Sequence, residues 1–266
     1  MSEAGRAGRA APDAGGWAAR TSADAVLALT FLTRLPAPTG RDLAVGSLGR
    51  SIVWFPVVGA LVGGVLGGTR LLAEIVLPAG PATVIALAAA ILVTGGLHED
   101  GLADTADGLG AHTTRERKLE IMRDPRVGTF GALALTVSTL LAWALLSGLD
   151  GTECLLAAVA GHALARWAMP VAAALFPPAR VGGAGALMTV DRVRLAACSV
   201  VAVAVAVAAA GGWVAGIAAS IAALAAVGVT AGCATRVLGG ITGDVYGAIG
   251  KSVELAGFAV LVGFWT

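Results

Sequence analysis

The 266-residue chain is 57% hydrophobic and 13% charged, with a formal net charge of +1. Soluble domains carry about 25% charged residues; with a mean hydropathy of +0.85, the composition points to a chain whose solvent is a bilayer. The balanced charge gives no basis for binding nucleic acid. Cys154, Cys198 and Cys233 stand alone in apolar runs, without metal-ligand or redox spacing.

Residues 1–20 are rich in Ala, Gly and Arg and lack the apolar core of a signal peptide. They read as a disordered N-terminal extension ahead of a single membrane-embedded domain, 21–266. The apolar segment 23–35 is too short to cross and reads as an interfacial helix. Stretches near 51–69, 82–97, 128–148, 153–176, 195–210, 214–235 and 254–266 qualify or nearly qualify as spans. The expected fold is therefore all-α: a polytopic transmembrane helical bundle of six to seven spans plus the interfacial helix. Abundant Gly and Ala suit close helix approach. Lys and Arg gather before the first span, in the loops 98–127 and 177–194, and at Arg236 and Lys251 around the last connection. The opposite turns, near 78–81, 149–152 and 211–213, have none, which puts the charged loops on the cytoplasmic side of an inner membrane. Arg70 is the exception, and Glu74 one turn later is its expected partner.

The densest chemistry is the run His98-Glu99-Asp100-Gly101-Leu102-Ala103-Asp104-Thr105-Ala106-Asp107-Gly108. On a helix, Asp100, Asp104 and Asp107 fall within about 60° of one another. Three carboxylates on one stripe repel, and a divalent cation relieves the conflict. Hard oxygen donors favour Mg²⁺, which adds substrate phosphates and water to its shell. A solvated acidic loop without a ligand is the plain alternative. His98 reads as a hydrogen-bonded histidine at a helix end or as a metal ligand, and Glu99 points off the stripe.

Thr113-Thr114-Arg115-Glu116 reads as a capping box, with Thr113 as N-cap of a short helix that Asp124-Pro125 stops. Arg115, Arg117 and Lys118 read as charge anchors. Arg123 and Arg126 bracket the stop and read equally as anchors or as a clamp on phosphate oxygens. The stretch Gly239–Ala248 reads as a Gly-rich loop between the last two spans. Its backbone can approach a phosphate at Thr242 and Gly243, and Asp244 can complete a metal shell. Arg166 lies mid-span with His162 one turn earlier. A charge at that depth faces the bundle interior, to pair with a carboxylate or to touch a substrate phosphate.

Four stretches in order resemble the adenosylcobinamide-GDP ribazoletransferase (cobalamin synthase) family. They are Phe31-Leu32-Thr33-Arg34-Leu35-Pro36, the run from Gly95 to Gly108, the run from Leu119 to Gly131, and Gly240-Ile241-Thr242-Gly243-Asp244 with Gly247, Ala248 and Glu254. Together they span about residues 22–266. At 249–251 the chain has Ile-Gly-Lys, where the family pattern has polar amide or hydroxyl residues. The resemblance implies a reaction in which a ribose hydroxyl of α-ribazole, or of its 5′-phosphate, attacks the pyrophosphate of adenosylcobinamide-GDP. GMP leaves, and adenosylcobalamin or its phosphate forms. Mg²⁺ is the implied cofactor; read from the residues themselves, Asp100, Asp104 and Asp107 are the catalytic acids that hold it, with Asp244 assisting and Asp104 the candidate to accept the hydroxyl proton, while Arg123, Arg126, Thr242, Gly243 and Arg166 lie toward phosphate or nucleotide. His98, Glu99 and Glu254 are supporting residues.

Two other readings compete. A CDP-alcohol phosphotransferase also aligns Asp residues at helix ends, and Asp104-Thr105-Ala106-Asp107-Gly108 copies the opening of that pattern, but its Ala-Arg and final Asp-x-x-x-Asp are missing. A transporter places ionisable groups at the midplane, where only Arg166 and Arg70 fit. Oligomeric state, metal count and the corrinoid pocket are not legible at this level.

Overall fold

The computed structural model describes residues 14–36, 47–180 and 190–266; residues 1–13 of the expected extension lie outside them. Helix α1 (Ala14–Leu32) starts ahead of the apolar segment 23–35 and buries Ala28 and Leu32. Helix α2 (Ser47–Ser51) and a 3-10 turn lead into α3 (Phe55–Ala73), and together Leu48–Ala73 forms one apolar crossing. Then follow α4 (Ala79–Thr94), α5 (Leu97–Gly110), the short α6 (Arg115–Ile121), α7 (Thr129–Ser147) and α8 (Gly151–Leu175). The chain closes with α9 (Arg192–Ala209), α10 (Trp213–Leu238) and α11 (Gly243–Trp265).

Six helices among the described residues are long and apolar enough to cross a membrane, and the expected spans at 51–69, 128–148, 153–176, 195–210 and 214–235 fall on five of them. Two expectations need correction. The stretch 82–97 does not cross as one rod: α4 and α5 are bent by 89° at Gly95-Gly96, both left-handed with φ of 67° and 69°. Helix α5, short and acidic, leaves the axis of α4 and is no span by itself. The last span begins at Gly243 rather than 254. The stretch from Gly243 to Ala248 is therefore helical, not a loop, and Lys251 lies buried within a helix instead of flanking a connection. Asp244, Lys251 and Glu254 lower the apparent apolarity of this turn-rich stretch, but inside the bundle two of them neutralise each other.

The bundle closes around α8, which is buried along most of its length. With lipid outside, apolar burial alone does not drive helices together, so close packing must. Gly59, Gly63 and Gly67, four residues apart, lay α3 directly on the α8 backbone. A Cβ at Gly63 would sit 2.2 Å from the carbonyl oxygen of Ala158. Arg70, fully buried, pairs with Glu74 as expected and donates from Nε to Thr83 Oγ1 at 2.7 Å.

The charged connections are bonded into one surface. Arg115 donates to the Leu238 carbonyl at the end of α10 (2.6 Å) and to Ala179 O (2.9 Å). Lys118 donates to Gly108 O and Leu109 O at the end of α5, and Arg180 to Leu119 O at 2.7 Å. Cations satisfying the last carbonyls of helices also oppose the negative end of the helix dipole. Ala179 and Ile241 are linked by a backbone bond of 2.9 Å, with Ile241 N–H returning to Pro177 O. The N-cap of α6 is Thr114, not Thr113: its hydroxyl accepts the Arg117 N–H.

A candidate active site on the acidic helix

Helix α5 packs on α11 along His98 and Gly101, which are buried one turn apart. The approach is close because Gly101 meets Gly247: a Cβ on Gly101 would lie 2.5 Å from Asp244 O. This crossing sets the acidic stripe of α5 beside the first turn of α11. Asp100 is exposed, Asp104 and Asp244 are half-buried, and Asp107 is buried.

The stripe predicted to present three free carboxylates presents two. Asp107 accepts the backbone N–H of Gly128 at 2.7 Å and of Gly131 at 2.8 Å, so its carboxylate caps the N-terminus of α7 from a neighbouring helix. Gly128 and Gly131 are needed there, since a Cβ on either would fall within 2.5 Å of an Asp107 oxygen. Asp104 has no hydrogen-bond or ion-pair partner among the described residues. Partial burial, then the negative charges of Asp100, Asp244 and Asp107, push its pKa up to about 6. Asp244 receives the Thr242 hydroxyl at 3.2 Å, and Thr242 is the N-cap of α11, accepting the Val245 N–H. Gly243 follows it, exposed, in the first turn.

A basic group faces the acids. Arg180 lies within electrostatic reach of Arg123, Asp244 and Arg115; burial and then the Arg123 charge lower its pKa, while Asp244 opposes the shift. Composition alone had placed Arg180 among loop charges. The signal that fixes it is Pro177-Pro178, which ends α8 and holds the next residues extended against Ile241. Arg126 goes elsewhere: its guanidinium forks onto both carboxylate oxygens of Asp124 at 2.8 and 2.6 Å, which draws Asp124 down to about 2.

The other predicted residues form a second, buried cluster. Arg166 and His162 meet at 2.9 Å, and both face Glu254 Oε2, at 3.8 and 3.3 Å. Lys251 bridges Glu254 (2.6 Å) and Glu99 (3.1 Å). Arg166 is thus held in an ion network spanning α5, α8 and α11, and of the two roles open to it the structure displays the pairing one. His98 is buried against Gly250, and neither ring nitrogen has a partner among the described residues. The network ties Glu99, next to Asp100, to the middle of α11. Lys251, absent from the predicted set, is its hub.

No three His, Cys, Asp or Glu side chains among the described residues converge closely enough to hold a metal ion alone. Mg²⁺ does not require that: it commonly takes one or two carboxylates and completes its shell with phosphate oxygens and water. Repelling carboxylates on α5 and α11, with one of them held near pKa 6, fit such a shared site and do not fit an all-protein cage.

A family model described as Cobalamin-5-phosphate synthase matches residues 24–262. The chain belongs to the cobalamin-5-phosphate synthase family. Membership rests equally on full-length relatives. A protein of Bradyrhizobium diazoefficiens named adenosylcobinamide-GDP ribazoletransferase is 39% identical over 247 residues, covering 91% of this chain and 94% of the relative. Proteins of the same name from Mesorhizobium japonicum and Leptothrix cholodnii are 40% and 41% identical, covering 88% and 90% of this chain and 90% and 95% of theirs. No solved structure matches the chain. Within this family of transferases of cobalamin synthesis, the chain carries the α5 acids, the Arg123 segment and the Thr242–Asp244 cap inside the matched region.

Proposed function

We propose that this family member joins α-ribazole, or its 5′-phosphate, to adenosylcobinamide-GDP, forming adenosylcobalamin or its 5′-phosphate and releasing GMP. The relatives' name supplies the donor and the transferred group. The observation that carries the reading is Asp104, without a partner among the described residues and pushed up by partial burial and then by the charges of Asp100 and Asp244, with Arg180 within electrostatic reach of both Asp244 and Arg123.

The arrangement suits a displacement at phosphorus. The ribose hydroxyl oxygen forms the new P–O bond to the cobinamide-bearing phosphorus, the bond to the GMP oxygen breaks, and GMP carries away the electron pair. Asp104 accepts the hydroxyl proton, since a carboxylate with a pKa near 6 is mostly ionised at neutral pH and basic enough to take it. Arg123 and Arg180 bind the oxygens of the departing nucleotide. Asp100 and Asp244 would hold Mg²⁺, leaving Asp104 free as the base, and Asp107 fixes the register of α5 on α7 while adding its charge to the cluster. When bound, Mg²⁺ supplies positive charge where the pyrophosphate develops negative charge. The distribution of Lys and Arg supports a cytoplasmic active face on the inner membrane.

The test is an assay of the purified protein in detergent with adenosylcobinamide-GDP and α-ribazole. GMP release that requires Mg²⁺ and disappears in Asp104→Asn is the expected result. Turnover of CDP-activated alcohols instead, or corrinoid uptake into proteoliposomes without conversion, rejects the proposal.

A further inference from the structure

A cavity of about 610 Å³ opens beside α5, on the side where α1 ends. Its volume lies in the range of small-ligand sites, about 300–1,000 Å³. Phe31, Ala103, Val127 and Leu135 give it apolar walls, and three charged residues interrupt them: Asp100 of the acidic stripe, Glu99, whose charge Lys251 balances at 3.1 Å, and Arg34.

Arg34 is placed with some care. Its backbone N–H donates to Val93 O at 2.7 Å, and its side chain lies across Gly95 at the bend between α4 and α5. A Cβ at Gly95 would stand 2.4 Å from Arg34 Nε, so the left-handed glycine serves both the bend and the arginine. Arg115 is engaged by carbonyl oxygens, whereas the Arg34 guanidinium has no hydrogen-bond or ion-pair partner among the described residues. It is exposed at the cavity, free to receive an anion.

Resting on the transferase reading above, we propose that this cavity is the acceptor subsite and that Arg34 recognises a 5′-phosphate on the acceptor. The size argues for the acceptor: a flat aromatic base with one ribose and one phosphate fits such a volume, whereas a corrin ring carrying a nucleotide is far larger. The chemistry agrees. The base lies on Phe31 and the aliphatic wall, the ribose hydroxyl turns toward Asp100 and the acids, and the phosphate meets Arg34, away from the Arg123 and Arg180 group assigned to the leaving nucleotide. The family description, a synthase of cobalamin 5-phosphate, is consistent with a phosphorylated acceptor.

Equilibrium dialysis of α-ribazole 5′-phosphate and of α-ribazole, without donor, measures the subsite apart from turnover. Initial rates with each acceptor measure it during the reaction. Arg34→Ala is expected to weaken the phosphate ester about ten- to a hundredfold more than the free nucleoside, the loss typical of a charge-assisted contact, with Arg34→Lys restoring part of it. Ala103→Trp, which fills the cavity, is expected to lower the affinity for both acceptors while the KM for adenosylcobinamide-GDP stays put. Equal loss for both acceptors in Arg34→Ala, or a change confined to the KM of the GDP-corrinoid, overturns the subsite. Wild-type protein that neither releases GMP nor binds either acceptor overturns the transferase reading instead.

Discussion

Asp107 of α5 holds Gly131 of α7: its carboxylate accepts the Gly131 backbone N–H at 2.8 Å, and its second oxygen takes that of Gly128. Asp104, one turn earlier on the same stripe, holds nothing among the described residues. Two carboxylates with the same spacing and the same neighbours in sequence therefore have different work.

That difference separates their variants. Asp107→Ala removes both acceptors from the α7 N-terminus and is expected to cost about 1–2 kcal/mol, read as a lower unfolding temperature in detergent. Asp104→Asn is expected to unfold at or above the wild-type temperature and to lose GMP release. Equal stability loss in both variants would contradict this assignment.

The charge on Asp104 also gives a pH dependence. An acid whose folded pKa, about 6, lies above its unfolded value binds more protons in the folded state between the two. Stability then rises as pH falls through about 6 toward 4. Thermal scans of metal-free protein at pH 7 and pH 5 should show this rise, and Asp104→Asn should reduce it. Added Mg²⁺ at pH 7 should stabilise wild type through the same repulsion.

Lys251 neutralises Glu99 and Glu254 inside the bundle, at 3.1 and 2.6 Å. Lys251→Met leaves two carboxylates buried with one fewer cation and is expected to cost about 3–5 kcal/mol. Adding Glu99→Gln to it should recover part of the loss. A double-mutant cycle on unfolding temperature checks the coupling; simple additivity would mean that the pair is not formed.

Gly63 and Gly64 are adjacent and opposite in environment. A Cβ at Gly63 would collide with the backbone of α8, whereas nothing lies within 4 Å of one at Gly64. Gly63→Leu is expected to cost about 3 kcal/mol or more and to lower the yield of folded protein, while Gly64→Leu should insert and fold normally. Matching yields in size-exclusion chromatography would refute the α3–α8 packing.

Much of this molecule was legible from its residues alone. Apolar runs located five spans closely, because a crossing needs a minimum length of apolar chain whatever its neighbours are. The helical period placed Asp100 and Asp104 on one face, and the four-residue spacing paired Arg70 with Glu74 and His162 with Arg166. These are local relations, set by geometry within one or two turns. What the sequence could not disclose depends on distances between segments far apart in the chain. Asp107 is occupied by α7, Arg115 and Arg180 knit the charged loops together, and Arg34 faces a cavity lined by four helices, α1, α4, α5 and α7. The start of α11 was misplaced for the same reason. Lys251 and Glu254 look like solvent-facing charges when counted along the chain; they pair one turn apart within α11, and only the fold buries that pair and brings Glu99, His162 and Arg166 onto it.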